Sequence, residues 1–173
     1  MKKILAISGS TKAVSTNALY ITAISRILGG DFELTGFSSI ADIPHFNPDL
    51  DQENPPNVVE ALRLTVQKAD GIIISTPEYA MGLPGSLKNL LDWTVSSASF
   101  SGKSVLALVA STQGEKAYQS IIDILTVIEA RVSPQLISFA KAKINNQATV
   151  TDQETLTALK STVDSFVASM ENG

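Results

Sequence analysis

The stretch from Ile72 to Trp93, IIISTPEYAMGLPGSLKNLLDW, constrains the fold more than any other part of the chain. It begins as an unbroken apolar run, Ile72-Ile73-Ile74, and breaks at Ser75-Thr76-Pro77 into a loop punctuated by proline and glycine. It then turns helical, with Leu87, Leu90, Leu91 and Thr94 at the i, i+3, i+4, i+7 spacing of one buried face. A short run that is apolar at every position suits a strand covered on both faces. The stretch is therefore a buried strand, a shaped loop at its carboxyl end, and a helix returning over the sheet. In open α/β sheets, ligands bind just beyond the carboxyl ends of the strands.

The rest of the chain repeats this unit. Lys3–Ser8 (KILAIS) reads as a central strand, followed by the loop GSTKAVSTN and a helix over Thr16–Leu28. Tyr20, Ile24, Ile27 and Leu28 form that helix's core face, and Gly29-Gly30 ends it. Phe32–Phe37 alternates as a strand nearer an edge does, and a long polar connection, SSIADIPHFNPDLDQENPP, reads as structureless. Asn54 is placed to cap a helix opening at Pro55-Pro56, with Val59, Leu62 and Val66 inward. After the central unit come a strand over Ser104–Ala110, the loop Ser111–Gly114 and a helix over Glu115–Arg131 bearing Tyr118, Ile121, Ile122, Leu125 and Ile128. Pro134 opens a fifth strand near Gln135–Phe139. Thr151-Asp152-Gln153-Glu154 reads as a capping box for a last helix ending near Met170. Strict β–α alternation predicts a parallel sheet between helices, in one domain over residues 1–173.

Composition narrows the chemistry. The chain has no cysteine, so disulfides, thiolate metal sites and a cysteine nucleophile are excluded. Its single histidine, His45, sits in the polar connection, which removes multi-histidine metal sites and argues against a Ser-His-Asp triad. A net charge of -4 gives no footprint for nucleic acid. No apolar stretch is long enough to span a membrane, and the run after Met1-Lys2-Lys3 is too short for a signal peptide, so the expected location is cytoplasmic.

Two loops carry the functional argument. In the first, Gly9 lets the backbone leave the strand. Ser10, Thr11, Ser15, Thr16 and Asn17 offer donors, Lys12 offers a cation, and the next helix aims its free N–H groups at the same space. That combination suits a phosphate monoester; its plain alternative is a turn with Ser15 or Thr16 as helix cap. Neither G-x-G-x-x-G nor G-x-x-x-x-G-K-[ST] occurs at this loop. In the second, Pro77, Glu78, Tyr79, Ala80, Met81 and Gly82 form an apolar-aromatic slot. Its backbone N–H groups suit the polar edge of a flat ring, and Gly82 and Gly85 permit close approach. Glu78 reads as a loop-bracing acceptor before a general base. Ser111, Thr112, Gln113 and Gly114 either complete the pocket or cap the helix that follows. Trp93 reads as core or interface. A phosphate cradle beside an apolar slot fits a phosphorylated flat heterocycle.

At these loops the sequence resembles the NADPH-dependent FMN reductase family of the flavodoxin-like superfamily, which includes related quinone, azo-dye and chromate reductases. Gly9, Ser10, Ser15 and Asn17 match the family's Gly-Ser-x-Arg-x-x-Ser-x-Asn loop, with Lys12 in place of arginine. Lysine keeps the charge and loses the planar fork. Pro77, Glu78, Tyr79, Pro84, Gly85, Leu87, Lys88, Asn89, Asp92 and Trp93 match its second, longer signature, whereas STQG has less glycine than the family's third loop. The resemblance implies a flavodoxin-like three-layer α/β sandwich with a five-stranded parallel sheet of order 2-1-3-4-5. It implies FMN held at its phosphate by Gly9, Ser10, Lys12, Ser15, Thr16 and Asn17. The ring would lie against Pro77–Gly82, with Ser111, Gln113 and Gly114 closing the pyrimidine side. It further implies NADPH or NADH as hydride donor, a small acceptor (quinone, azo compound, free flavin or oxidised metal ion), and a homodimer or homotetramer. Tyr79, Met81, the helix of Trp93 and the long connection are the candidate contacts. No catalytic acid–base residue and no metal are required, since the flavin carries the chemistry. Lys116 is a candidate for a 2′-phosphate of the donor. Two other classes stay open here: a flavodoxin-type electron carrier, whose phosphate loop would lack this cation, and a non-catalytic binding domain.

Overall fold

The computed structural model describes residues 1–12, 14–38 and 40–172; Ala13 of the first loop, Ser39 of the long connection and the last residue of the expected domain, Gly173, lie outside it. Five parallel strands, β1 (Lys2–Ser8), β2 (Phe32–Phe37), β3 (Gly71–Thr76), β4 (Ser104–Ala110) and β5 (Arg131–Ile137), pair in the order β2-β1-β3-β4-β5. The crossovers put α1 (Thr16–Leu28) and α6 (Gln153–Glu171) on one face, and α3 (Asn57–Lys68), α4 (Gly85–Asp92) and α5 (Glu115–Val127) on the other. This is the expected flavodoxin-like three-layer sandwich.

Burial follows position in the sheet. Every residue of β3 and β4 is buried, whereas the edge strands β2 and β5 alternate with exposed positions. Two apolar clusters flank the sheet. Leu5, Ile7, Ile72 and Ile74 meet Leu62, Leu87, Leu91 and Leu125 on one side. Ile4, Ile73, Leu106 and Leu108 meet Tyr20, Ile24, Leu159 and Phe166 on the other. Each fully buried side chain of this kind contributes roughly 1.5–3 kcal/mol, so the two central strands anchor the fold.

Several local expectations shift. The connection after β2 is not structureless: Ile40–Asp42 forms a 3₁₀ turn and Pro48–Glu53 a short helix, α2. Asn47 caps α2 by accepting from the Asp49 N–H at 3.0 Å, and Asn54 is where α2 ends rather than the start of α3, which follows Pro56. Helix α5 stops at Val127, not Arg131, because Glu129 adopts a left-handed φ of 61°. Strand β5 therefore starts earlier, and Pro134 lies inside it, opposite Ala107. An edge strand tolerates this because a backbone N–H facing away from the sheet is not needed. The last helix is capped by Asp152, which accepts from Thr155 N–H at 2.9 Å; the capping box was expected one residue earlier, at Thr151.

The connection is fastened by the helix that follows the second loop. The Asn89 amide donates to Pro44 O at 2.9 Å and accepts from Phe46 N–H at 2.8 Å. Trp93 Nε1 donates to Pro44 O at 2.8 Å, and its ring meets Phe46 edge-on at 5.1 Å. Arg63 pairs with Asp51 and donates to Trp93 O. Trp93 is wholly buried, so its side chain belongs to the core and offers nothing to an intersubunit contact. His45 is exposed on this connection.

Candidate active site

The strand order reverses at β1, which pairs with β2 on one side and β3 on the other. A cleft of about 640 Å³ opens beyond the carboxyl ends of the strands at this reversal, the place where α/β sheets collect ligands. Four segments wall it: Ser10, Lys12 and Val14 to Asn17 of the first loop, Pro77 to Tyr79, Ala110 to Thr112, and residues of the segment from Phe139 to Asn146.

The first wall gathers hydroxyls, a cation and a helix N-terminus. Ser15 caps α1 by accepting from Ala18 N–H at 3.1 Å, which leaves its own proton free to donate outward. Ser10 Oγ likewise accepts from Lys12 N–H at 3.3 Å. Lys12 is exposed and Thr16 opens the helix, so hydroxyls, a cation and the positive end of α1 converge. Gly9 is required for a reason other than turning: a Cβ there would stand 2.4 Å from Thr76 Oγ1 and 2.7 Å from its Cβ. It permits β1 and β3 to run closely together where Gly9 N–H bonds Ser75 O at 2.8 Å. Gly9 itself does not line the cleft.

Asn17 lines the cleft but is engaged within the protein. Its Nδ2 donates to Ala110 O at 3.3 Å and its Oδ1 accepts from Ser75 Oγ at 2.9 Å. The residue is a buried clasp between α1 and the ends of β3 and β4.

The second wall is more strained than its sequence indicates. Tyr79 and Gly82 exchange backbone hydrogen bonds of 2.9 and 3.1 Å around Ala80 and Met81, whose φ values are 48° and 63°. Positive φ at both central residues is the I′ pattern, normally filled by Asn or Gly. Each alanine- or methionine-like residue there costs roughly 1–2 kcal/mol, and such strain gathers at functional sites. The expected set of free N–H groups is smaller than Glu78–Gly82. Glu78, Tyr79 and Gly82 bond within the protein, which leaves Ala80 and Met81 without partners among the described residues. Tyr79 and Met81 are exposed. Gly82 and Gly85 permit no close approach within the fold, since a Cβ at either meets nothing within 4 Å. Glu78 is a brace: its carboxylate accepts from Lys116 and Ala117 N–H, each at 2.9 Å, at the start of α5. That contact suits a carboxylate at a helix N-terminus.

In the third wall, Ser111 and Thr112 line the cleft while Gln113 and Gly114 do not. Gly114 has φ 114° and caps α5, and a Cβ on it would press Leu136 at 2.7 Å. Ala80, Met81 and Gly82 likewise fall outside the lining, as does Lys116. The fourth wall has no counterpart among the expected residues. Phe139–Asn146 closes the cleft beside α1, where Tyr20 Oη donates to Ala140 O at 3.0 Å. Burial first, and the charge of Asp152 second, push the Tyr20 phenol up to about 12. The signal that marks this wall is the polar stretch KAKINN directly after a strand, the same arrangement as the other loops.

The donor set of the first wall fits a dianionic phosphate, and the apolar second wall fits a flat ring. The sequence profile of NADPH-dependent FMN reductases matches residues 2–143. The chain belongs to the NADPH-dependent FMN reductase family. It is 32% identical over 174 residues to a quinone reductase of Escherichia coli strain K12, covering 95% of this chain and 93% of that protein. It is 31% identical over 183 residues to NADH-dependent flavin reductase subunit 2 of Lactobacillus johnsonii, covering 98% and 97%. The flavoenzyme NAD(P)H:(acceptor) oxidoreductase FerB of Paracoccus denitrificans superposes with a TM-score of 0.84 at 25% identity, over 99% of this chain and 98% of that one. As a member of the NADPH-dependent FMN reductase family this chain is an FMN-dependent NAD(P)H oxidoreductase acting on small-molecule acceptors. Among the described residues no helix is long and apolar enough to cross a membrane, and no cluster of ligating side chains is arranged for a metal.

Proposed function

We propose that the single domain holds FMN in the cleft at the β1/β3 reversal, phosphate against Ser10, Lys12, Ser15 and Thr16, ring against Pro77–Tyr79. The observation that carries this reading is the convergence of a lysine, capping hydroxyls and a helix N-terminus in a cleft that Pro77 and Tyr79 also line. When bound, FMN supplies the hydride chemistry, from NADPH or NADH to a quinone, azo compound, free flavin or oxidised metal ion. The protein's own tasks are binding and orientation. Asn17 fixes α1 against the ends of β3 and β4, and so fixes the cradle relative to the slot. Next to Tyr79, the N–H groups of Ala80 and Met81 sit on a strained turn without partners among the described residues. Glu78 keeps that turn seated on α5. No side chain at the cleft is called on to move a proton. Exposed Tyr79 and Met81 fit an intersubunit contact in a cytoplasmic homodimer or homotetramer.

The test is an absorbance titration of the purified chain with FMN, followed by NADPH and by NADH without oxygen. The flavin band shifts on binding and bleaches with a nucleotide. Absence of FMN binding refutes the site. Binding without bleaching favours the electron-carrier reading.

A further inference from the structure

Two lysines line the cleft, and only one of them belongs to the first loop. Lys12 comes from the cradle, Lys141 from the wall that follows β5. Glu78 is the only carboxylate among the described lining residues, and it is bound to the start of α5. Among the described residues the ion pairs are Arg63–Asp51 and Lys88–Asp92, so neither cleft lysine is neutralised by a partner there.

We propose that Lys141 is a second phosphate-binding cation, closing the cradle from the segment after β5 and selecting ligands that end in a phosphomonoester dianion. The assignment rests on the FMN reading above. A phosphomonoester carries roughly -1.5 to -2 near neutral pH, while one lysine and a helix end supply roughly +1.5. Lys141 brings the total to cover the full dianion.

The backbone around Lys141 is fixed in relation to that cradle. Phe139 and Ala140 N–H bond Thr112 O and Ser111 O, both at 3.0 Å, which ties the segment to the loop after β4. Tyr20 Oη on α1 bonds Ala140 O, and Arg26 on α1 bonds Gln147 O at 2.6 Å. Ile144 bridges to Val150 and is buried. The helix that presents the cradle therefore also holds the segment bearing Lys141, and little backbone freedom is lost when a ligand joins them. Lys116, the candidate for a 2′-phosphate of the donor, lies outside the cleft.

Affinities for FMN and riboflavin are to be measured by titration on the full chain, wild type against Lys141→Gln and Lys141→Arg. The Lys141 side chain is exposed and makes no hydrogen bond among the described residues, so the variants fold; their melting curves check this. Lys141→Gln is expected to weaken FMN roughly tenfold, the loss of one charge-assisted contact, while riboflavin affinity changes less than about twofold and Lys141→Arg recovers most of the loss. FMN affinity that rises or falls in parallel with riboflavin overturns the proposal, as does an unchanged FMN affinity accompanied by a raised KM for NADPH, which would give the lysine to the donor. A wild type that binds neither flavin overturns the FMN reading itself, a result distinct from equal FMN binding by wild type and variant.

Discussion

Replacing Asn17 by alanine separates two roles that its sequence position leaves merged. As a phosphate ligand it would affect FMN binding; as the clasp seen in the structure it affects stability. Asn17→Ala strips the acceptor from Ser75 Oγ, which is wholly buried and loses a 2.9 Å bond. A buried donor left unsatisfied costs about 1–3 kcal/mol. The longer 3.3 Å bond to Ala110 O is also lost, worth about 0.5–1 kcal/mol. Alanine's better helix propensity at this second position of α1 returns at most about 0.7 kcal/mol. The expected net loss is about 1–4 kcal/mol, which for a chain of this size lowers the melting temperature by roughly 2–16 °C. Urea unfolding followed by circular dichroism measures it. Adding Ser75→Ala to Asn17→Ala should recover part of the loss, because a deleted hydroxyl no longer needs an acceptor. The reasoning fails if Asn17→Ala keeps its stability and loses FMN affinity without losing riboflavin affinity, for then the amide binds phosphate.

Three further outcomes follow from the same contacts. The Tyr20 phenol, raised from 10.0 to about 12, contributes stability that is complete below its unfolded value and is lost as pH rises from about 10 through 12, so Tyr20→Phe should flatten that alkaline limb of a stability–pH curve. Gly9→Ala drives a Cβ to 2.4 Å from Thr76 Oγ1, and the overpacking should lower the urea midpoint by the equivalent of about 1–3 kcal/mol; an unchanged midpoint would show that β1 and β3 separate freely. Trp93, the single tryptophan, is fully buried, so its fluorescence should resist acrylamide, and Asn89→Ala, which removes the bond to Phe46 N–H and one of the two to Pro44 O, should increase quenching without altering FMN affinity.

The order of elements, the all-apolar centre of the sheet and the two loops at the carboxyl ends of β1 and β3 were legible in the sequence because they depend on local pattern. Ile72–Ile74 cannot be solvent-facing, and Leu87, Leu90 and Leu91 fall on one helical face wherever the helix sits. Lys12 and Ser15 can be read as an anion cradle because the helix that supplies the N–H groups begins in the next residue. What needed the tertiary structure were the contacts between segments distant in sequence. Asn17 and Gly9 look like loop chemistry until Ser75, Thr76 and Ala110 are brought beside them. Asn89 and Trp93 match the second family signature, and the structure shows them fastening a connection more than forty residues earlier. Lys141 reaches the cleft only because β5 pairs with β4 and α1 packs over the segment that follows. Periodicity records which face of an element is buried; it does not record which side chain, from which other strand, completes a polar contact there. Those contacts are fixed by the register of the sheet, and register is a property of the assembled fold.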